Sequence, residues 1–201
     1  MRTFLLYARK ARTDGNFDIH KLAREGGRLD IVARCLQASL YLSRGIRRYA
    51  ALFAVLNGPP NPPKTIWFKG SEFKGVAIDE ISIARCLKKA LLFNIGKSKK
   101  WSLVSDGVYI SCRSFQEMIA EAAEMAKQIY ILHEKGVDIR NVRLSREAFF
   151  VLGDHLGLPL KEEGFCERYG ALKVSVGARS YLASQCITLI NAELDRCYDY
   201  D

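Results

Sequence analysis

No stretch of this 201-residue chain approaches the roughly 20 consecutive apolar residues that a helix needs to cross a bilayer, so no membrane span is expected. The opening Met1–Tyr7 is too short an apolar run for a secretory signal, and with Lys10 and Arg12 close behind it reads as a first strand. Six cysteines are present, yet no C-x-x-C, so neither a zinc site nor a redox dithiol is expected. Free cysteines inside apolar patterns point instead to a reducing, cytoplasmic compartment. Histidine is scarce: His20, His133 and His155 have no partner at ligand spacing, which argues against a metal. No G-x-G-x-x-G follows a strand and no G-x-S-x-G occurs, so the common dinucleotide fold and the hydrolase elbow are both disfavoured. Gly96-Lys97-Ser98 looks like the end of a phosphate loop, but Leu91 stands where the first glycine is required.

What the chain does have is positive charge. A net charge of +9 favours polyanionic partners, and the cations are clustered. Arg9, Lys10 and Arg12 follow the first strand, Arg44, Arg47 and Arg48 are expected to close the first helix, and Lys97, Lys99 and Lys100 run into Trp101. Basic side chains beside aromatics suit RNA, whose unstacked bases lie on flat side chains. The competing reading is a set of solvated loop charges and cations at helix C-termini.

At this length the chain fits one domain, residues 1–201, with about 70% of the unfolded surface buried on folding. Apolar runs read as strands at Thr3–Ala8, Tyr49–Leu56, Thr65–Phe68, Gly107–Cys112, Ile129–His133, Phe149–Leu152 and Leu172–Val176. Helical spacing follows Asp30, a candidate N-cap, and recurs over Asp79–Phe93, after the capping box at Ser114–Glu117, and over Ser180–Tyr198. Gly96–Ser105 reads as a lysine-rich loop. Near-regular alternation of strand and helix predicts an α/β fold, a parallel sheet covered on both faces.

Such sheets hold ligands in the loops beyond their strand ends, where glycine permits close backbone approach. Two segments have that form. One is Phe149–Gly157, which ends in Gly153-Asp154-His155-Leu156-Gly157; the other is Ala171–Ile190, in which a strand passes through Gly177 into a helix carrying Cys186. His133 and His155 sit at strand ends and could reach the same pocket, though held rim histidines are favoured over catalytic ones. Cys186 is expected in the core, with its backbone near the ligand.

Seven motifs occur in order: Gly27-Arg28-Leu29-Asp30 with Arg34-Cys35, Ile46-Arg47-Arg48, Asn61-Pro62-Pro63, Gly70-Ser71-Glu72, Leu132-His133-Glu134, Gly153-Asp154-His155-Leu156-Gly157, and Cys186-Ile187. Together they resemble the TrmY-type pseudouridine N1-methyltransferases, a branch of the SPOUT class of RNA methyltransferases. The resemblance spans essentially the whole chain. It implies a C-terminal trefoil knot, a homodimer, S-adenosylmethionine as cofactor, and methylation of N1 of pseudouridine at position 54 in the tRNA T loop. Carried over by motif, the cofactor site comprises Leu132, Gly153, Leu172, Val174, Ser175, Val176, Gly177 and Cys186. Asp30 is the first candidate to orient or accept the N1 proton. Arg28, Arg47 and Arg48 are candidates for RNA phosphate or for negative charge on the base. The chain departs from the family pattern at Val176-Gly177-Ala178, Gln185, Ile81 and Ser105-Asp106-Gly107, mostly on the substrate side. That leaves two alternatives open: the same fold acting on another RNA such as ribosomal RNA, and a non-catalytic RNA-binding relative.

Overall fold

The computed structural model describes residues 1–125 and 128–198. Its centre is an eight-stranded sheet. In chain order the elements are β1 (Arg2–Ala8), α1 (Leu29–Leu40), a small hairpin β2 (Tyr41–Leu42) and β3 (Gly45–Ile46), β4 (Ala50–Leu56), β5 (Lys64–Lys69) and α2 (Glu80–Leu92). There follow β6 (Ser102–Ser105), β7 (Val108–Ser111), α3 (Phe115–Met125), β8 (Gln128–Asp138), β9 (Ala148–Gly153), α4 (Leu160–Arg168), β10 (Leu172–Ser175) and α5 (Ala183–Cys197). Across the sheet the order is β10-β8-β9-β1-β4-β5-β7-β6.

The five strands from β10 to β4 run parallel, as expected. The other three do not: β5, β7 and β6 extend the sheet antiparallel, which corrects the all-parallel expectation. Their connections are the reason. The turn between β4 and β5 and the Asp106-Gly107 turn between β6 and β7 are too short for a crossover helix. β6 itself lies where a loop was expected, and α4 was not foreseen.

Strand alternation sorts the core. Phe4, Leu6, Phe150 and Leu152 face α1, α2 and α5; Leu5, Phe149 and Val151 face α3 and α4. In α1 the stripe Leu29, Val32, Leu36 and Leu40 is completely buried, each side chain contributing roughly 1.5–3 kcal/mol. Ser114 and Glu117 reciprocate backbone hydrogen bonds at the start of α3, the expected capping box.

Asp30 is not a cap. Arg28 holds the N-cap position in a left-handed conformation (φ 75°), and Asp30 lies inside the first turn of α1. The Arg44, Arg47 and Arg48 cluster also lies beyond α1, which ends at Leu40 and turns into the hairpin. No helix among the described residues is long and apolar enough to cross a membrane.

α5 is fastened by an unusual anchor. Arg2, fully buried, donates to Asn191 Oδ1 (2.7 Å) and to Asp195 Oδ1 (2.8 Å), and Arg47 reaches the other oxygen of Asp195 at 2.7 Å. This ties the start of β1 to the end of α5.

Candidate functional site: a cleft at the strand ends

Three backbone irregularities at the C-terminal edge of the parallel strands frame one cleft of about 500 Å³. The first lies in β8. Lys173 pairs with Ile131 but the next residue, Val174, pairs with Val137, so Leu132–Gly136 bulge out of the ladder. The bulge delivers Leu132, His133 and Glu134 to the cleft wall. Gly136 is required there, because a Cβ would sit 2.5 Å from the backbone of Val174.

The second is the turn after β9. Asp154, 8% exposed, accepts from the backbone N–H of Arg9 (2.8 Å) and of Leu156 (2.9 Å), while Gly157 N–H donates to the Asp154 carbonyl (2.9 Å). A Cβ on Gly153 would lie 2.1 Å from Gly157 C and 2.2 Å from Leu158 N. Gly153 therefore makes room for its own turn, a different cause from the ligand approach expected of it. The third follows β10. The Ser175 hydroxyl donates to Gly177 O (2.8 Å) and accepts from Gly177 N–H (3.2 Å), closing a tight turn. Beyond it, Gln185 reaches back to accept from Leu182 N–H at 3.0 Å and caps α5.

The start of α1 closes the cleft. Asp30, 6% exposed, accepts from Arg28 Nε (3.0 Å) and Nη2 (3.2 Å) and from Arg34 Nη2 (2.6 Å). Burial pushes the Asp30 carboxyl up, but the hydrogen bonds and charges of Arg28 and Arg34 outweigh it, and the group titrates below the usual carboxylate range. Two guanidiniums against one carboxylate leave a net positive charge at the cleft edge. Arg179 adds a third cation to the lining.

Of the residues expected at a cofactor site, Leu132, Gly153, Val174, Ser175, Val176, Gly177 and Cys186 line this cleft. Leu172 does not; it stands half exposed on the outer strand, opposite Tyr130. Arg28 lines the cleft, while Asp30 stands behind it. Arg47 and Arg48 lie elsewhere: Arg47 bridges to Asp195, and Arg48 donates to the carbonyls of Phe73 (2.9 Å) and Gly70 (3.3 Å). His133 and His155 do reach the same cleft. His133 Nδ1 accepts from Lys135 N–H (3.0 Å), and Glu163 stands 4.0 Å behind Nε2. Burial pushes the Cys186 thiol up to about 11, so it stays protonated at neutral pH. Arg34, Glu134, Arg179 and Tyr181 were missed. The spacing of Arg34 four residues after Asp30 was a readable signal for one of them.

The arrangement is chemically specific. An apolar wall of Ile31, Leu132, Leu152, Val174 and Val176 faces main-chain groups of two tight turns, beside a positive edge. That suits a ligand with a flat apolar part and polar ends, and a cleft of this size is ordinary for a cofactor. A sulfonium nucleoside has this form.

Residues 1–198 match the family described as "Putative SAM-dependent RNA methyltransferase". Curated relatives agree. A protein of Methanocella arvoryzae named tRNA (pseudouridine(54)-N(1))-methyltransferase is 43% identical over 98% of this chain and 100% of its own. One of the same name from Methanococcus aeolicus is 38% identical over 98% of both. Among solved structures, Archaeoglobus fulgidus Nep1 bound to S-adenosylhomocysteine superposes with a TM-score of 0.62 at 13% identity, covering 97% of this chain and 96% of its own. A ribosomal RNA small subunit methyltransferase E from Neisseria gonorrhoeae gives 0.50 at 13% identity, over 98% of this chain and 67% of that one. At these identities the likeness is one of fold.

Proposed function

The chain belongs to the SAM-dependent RNA methyltransferase family, and from that premise we propose that it transfers a methyl group from S-adenosylmethionine to N1 of pseudouridine 54 in tRNA. The observation that carries this reading is the convergence of Leu132, Gly153, Ser175–Gly177 and Cys186 on one cleft in a chain aligned end to end with enzymes of that name. S-adenosylmethionine, once bound, supplies the electrophilic methyl carbon. The chain supplies position and environment. Leu132, Val174 and Val176 offer an apolar wall to a purine, and the Gly153 and Gly177 turns offer backbone groups.

N1 of pseudouridine gives up its proton as it attacks the methyl carbon, and at the open edge of the cleft that proton passes to solvent water. Arg28 and Arg34, held at the cleft edge by Asp30, favour the negative charge this leaves on the base. Asp30, expected as the proton acceptor, acts in this reading through the two arginines. Both its oxygens accept from them, and its lowered pKa makes it a poor base. Arg28, not Arg47 or Arg48, then contacts the substrate.

The same reading includes the single domain expected over residues 1–201, a cytoplasmic location beside its tRNA, a C-terminal trefoil knot and a homodimer. The knot is supported by the close backbone approach of Gly136 to Val174 at the β8 bulge, and by α5 returning from edge strand β10 to pack on α1. Exposed Leu42, Ile78, Leu182 and Leu189 on and beside α1 and α5 support the dimer. Nucleoside mass spectrometry of cells lacking the protein tests the reading. Loss of N1-methylpseudouridine from tRNA agrees with it; unchanged tRNA with altered ribosomal RNA assigns the fold to another substrate.

A further inference from the structure

A second groove, of about 420 Å³, lies between α2 and the loop Phe73–Ala77. Ser82, Arg85 and Lys89 stand on one face of α2 at i, i+3 and i+7 and line it. Neighbouring cations are satisfied: Lys74 pairs with Asp106 at 2.7 Å, Lys69 with Glu72, Lys99 with Glu117 at 2.7 Å, and Lys88 donates to the Phe17 carbonyl at 2.7 Å. Arg85 and Lys89 have no acidic partner among the described residues. Lys89, in the last turn of α2, complements the helix dipole, but Arg85 is mid-helix and gains nothing from it.

The groove is held at a fixed separation from the cofactor cleft. Tyr41, the C-cap of α1, donates to the Val76 carbonyl (2.9 Å) and accepts from Val76 N–H (3.1 Å), fastening the loop to that end of the helix. Arg28 stands at the other end, on the cleft. The twelve residues of α1 rise about 18 Å. The groove and the cleft therefore open near opposite ends of α1, several nucleotides apart for an RNA strand that advances about 3.4 Å per nucleotide.

We propose that Arg85 and Lys89 form a phosphate-binding subsite that grips the RNA backbone several nucleotides from the methylated base. The inference rests on the function proposed above and names how that substrate is held. Two unpaired cations one helical turn apart match a phosphodiester backbone read by charge without base specificity.

The test measures tRNA affinity against salt for the wild-type protein and for R85Q/K89Q, with S-adenosylmethionine affinity and melting temperature recorded in parallel. Each lost phosphate contact reduces the slope of log K against log [salt] by about 0.7–0.9, so the variant is expected to lose about 1.4–1.8. Cofactor affinity and melting stay at wild-type values, and R85K/K89R keeps the wild-type slope. On a hairpin trimmed to the T loop itself, too short to reach from the cleft to α2, the wild type and R85Q/K89Q become equal. A variant with wild-type slope and tRNA affinity overturns the subsite. A wild-type protein that neither binds nor methylates tRNA overturns the function instead.

Discussion

Adding a single methyl group at Gly153 is expected to disable the cleft proposed to hold the cofactor. In G153A the new Cβ meets Gly157 C at 2.1 Å and Leu158 N at 2.2 Å, and ordinary contact begins at 3.4 Å, so the turn must retreat by about 1.3 Å. It is not free to do so. Asp154 pins it through the Arg9 and Leu156 N–H groups, and the Gly157 N–H bond to the Asp154 carbonyl closes it. The strain is therefore shared between the turn and the end of β9, at the roughly 1–3 kcal/mol typical of overpacking. That corresponds to a fall in melting temperature of about 2–12 °C for a chain of this size. Displacing a ligand wall by about 1 Å costs on the order of 100-fold where geometry matters, so S-adenosylmethionine affinity should fall at least about tenfold. Calorimetric titration and a thermal melt read the two effects. Gly164, inside α4 with no atom near its Cβ position, is the control: G164A should leave cofactor affinity unchanged and stabilise by roughly 0.5–1 kcal/mol. A G153A protein that melts and binds cofactor like the wild type would refute the steric argument.

D30N should lower turnover more than cofactor affinity, because it releases Arg28 and Arg34 while leaving the apolar wall intact; an unchanged rate removes the clamp from the mechanism. Since the folded Asp30 pKa is depressed, its stabilisation is fully present above the ordinary carboxylate range and is lost as pH falls through the folded value. The wild type should therefore lose its stability advantage over D30N in acid, and a pH-independent difference between the melts would contradict this. C186S should retain much of the activity, since the thiol is protonated at neutral pH and makes only a long contact to the Tyr181 carbonyl (4.0 Å); complete loss in a folded protein would argue for thiol chemistry. D195N should destabilise by roughly 1.5–3 kcal/mol, below the figure for a fully buried pair because Asp195 is about a third exposed. A melt shifted by less than about 2 °C would mean that Asn191 alone satisfies Arg2.

The cleft was legible because its parts are local signals. Gly153, Gly177 and the apolar runs before them announce strand ends, and strand ends of parallel sheets meet at one edge. What the glycines avoid was not legible, since the clash at Gly153 is with a turn whose path only the folded chain defines. Sheet direction failed beyond β4 for a similar reason. Alternation of strand and helix suggests crossovers, but the tight turns that reverse β5 and β7 look like any other punctuation. β6 was hidden by its lysine-rich approach, and α4 by a sequence with few apolar positions. Arg47 and Arg48 were expected to bind RNA phosphate or charge on the base, yet they are held by Asp195 and by the Gly70 and Phe73 carbonyls, between 22 and 148 residues away. Asp30 shows the limit of a capping rule. Arg28 takes the N-cap position two residues early, and the carboxylate is left to hold two arginines.

One assay bears most directly on the enzyme itself. Matched tRNA transcripts carrying either pseudouridine or uridine at position 54 are incubated with the protein and methyl-labelled S-adenosylmethionine, then digested to nucleosides for mass spectrometry. Label is expected in N1-methylpseudouridine from the first transcript and none from the second. Equal labelling of both, or label on a ribose hydroxyl, would contradict this.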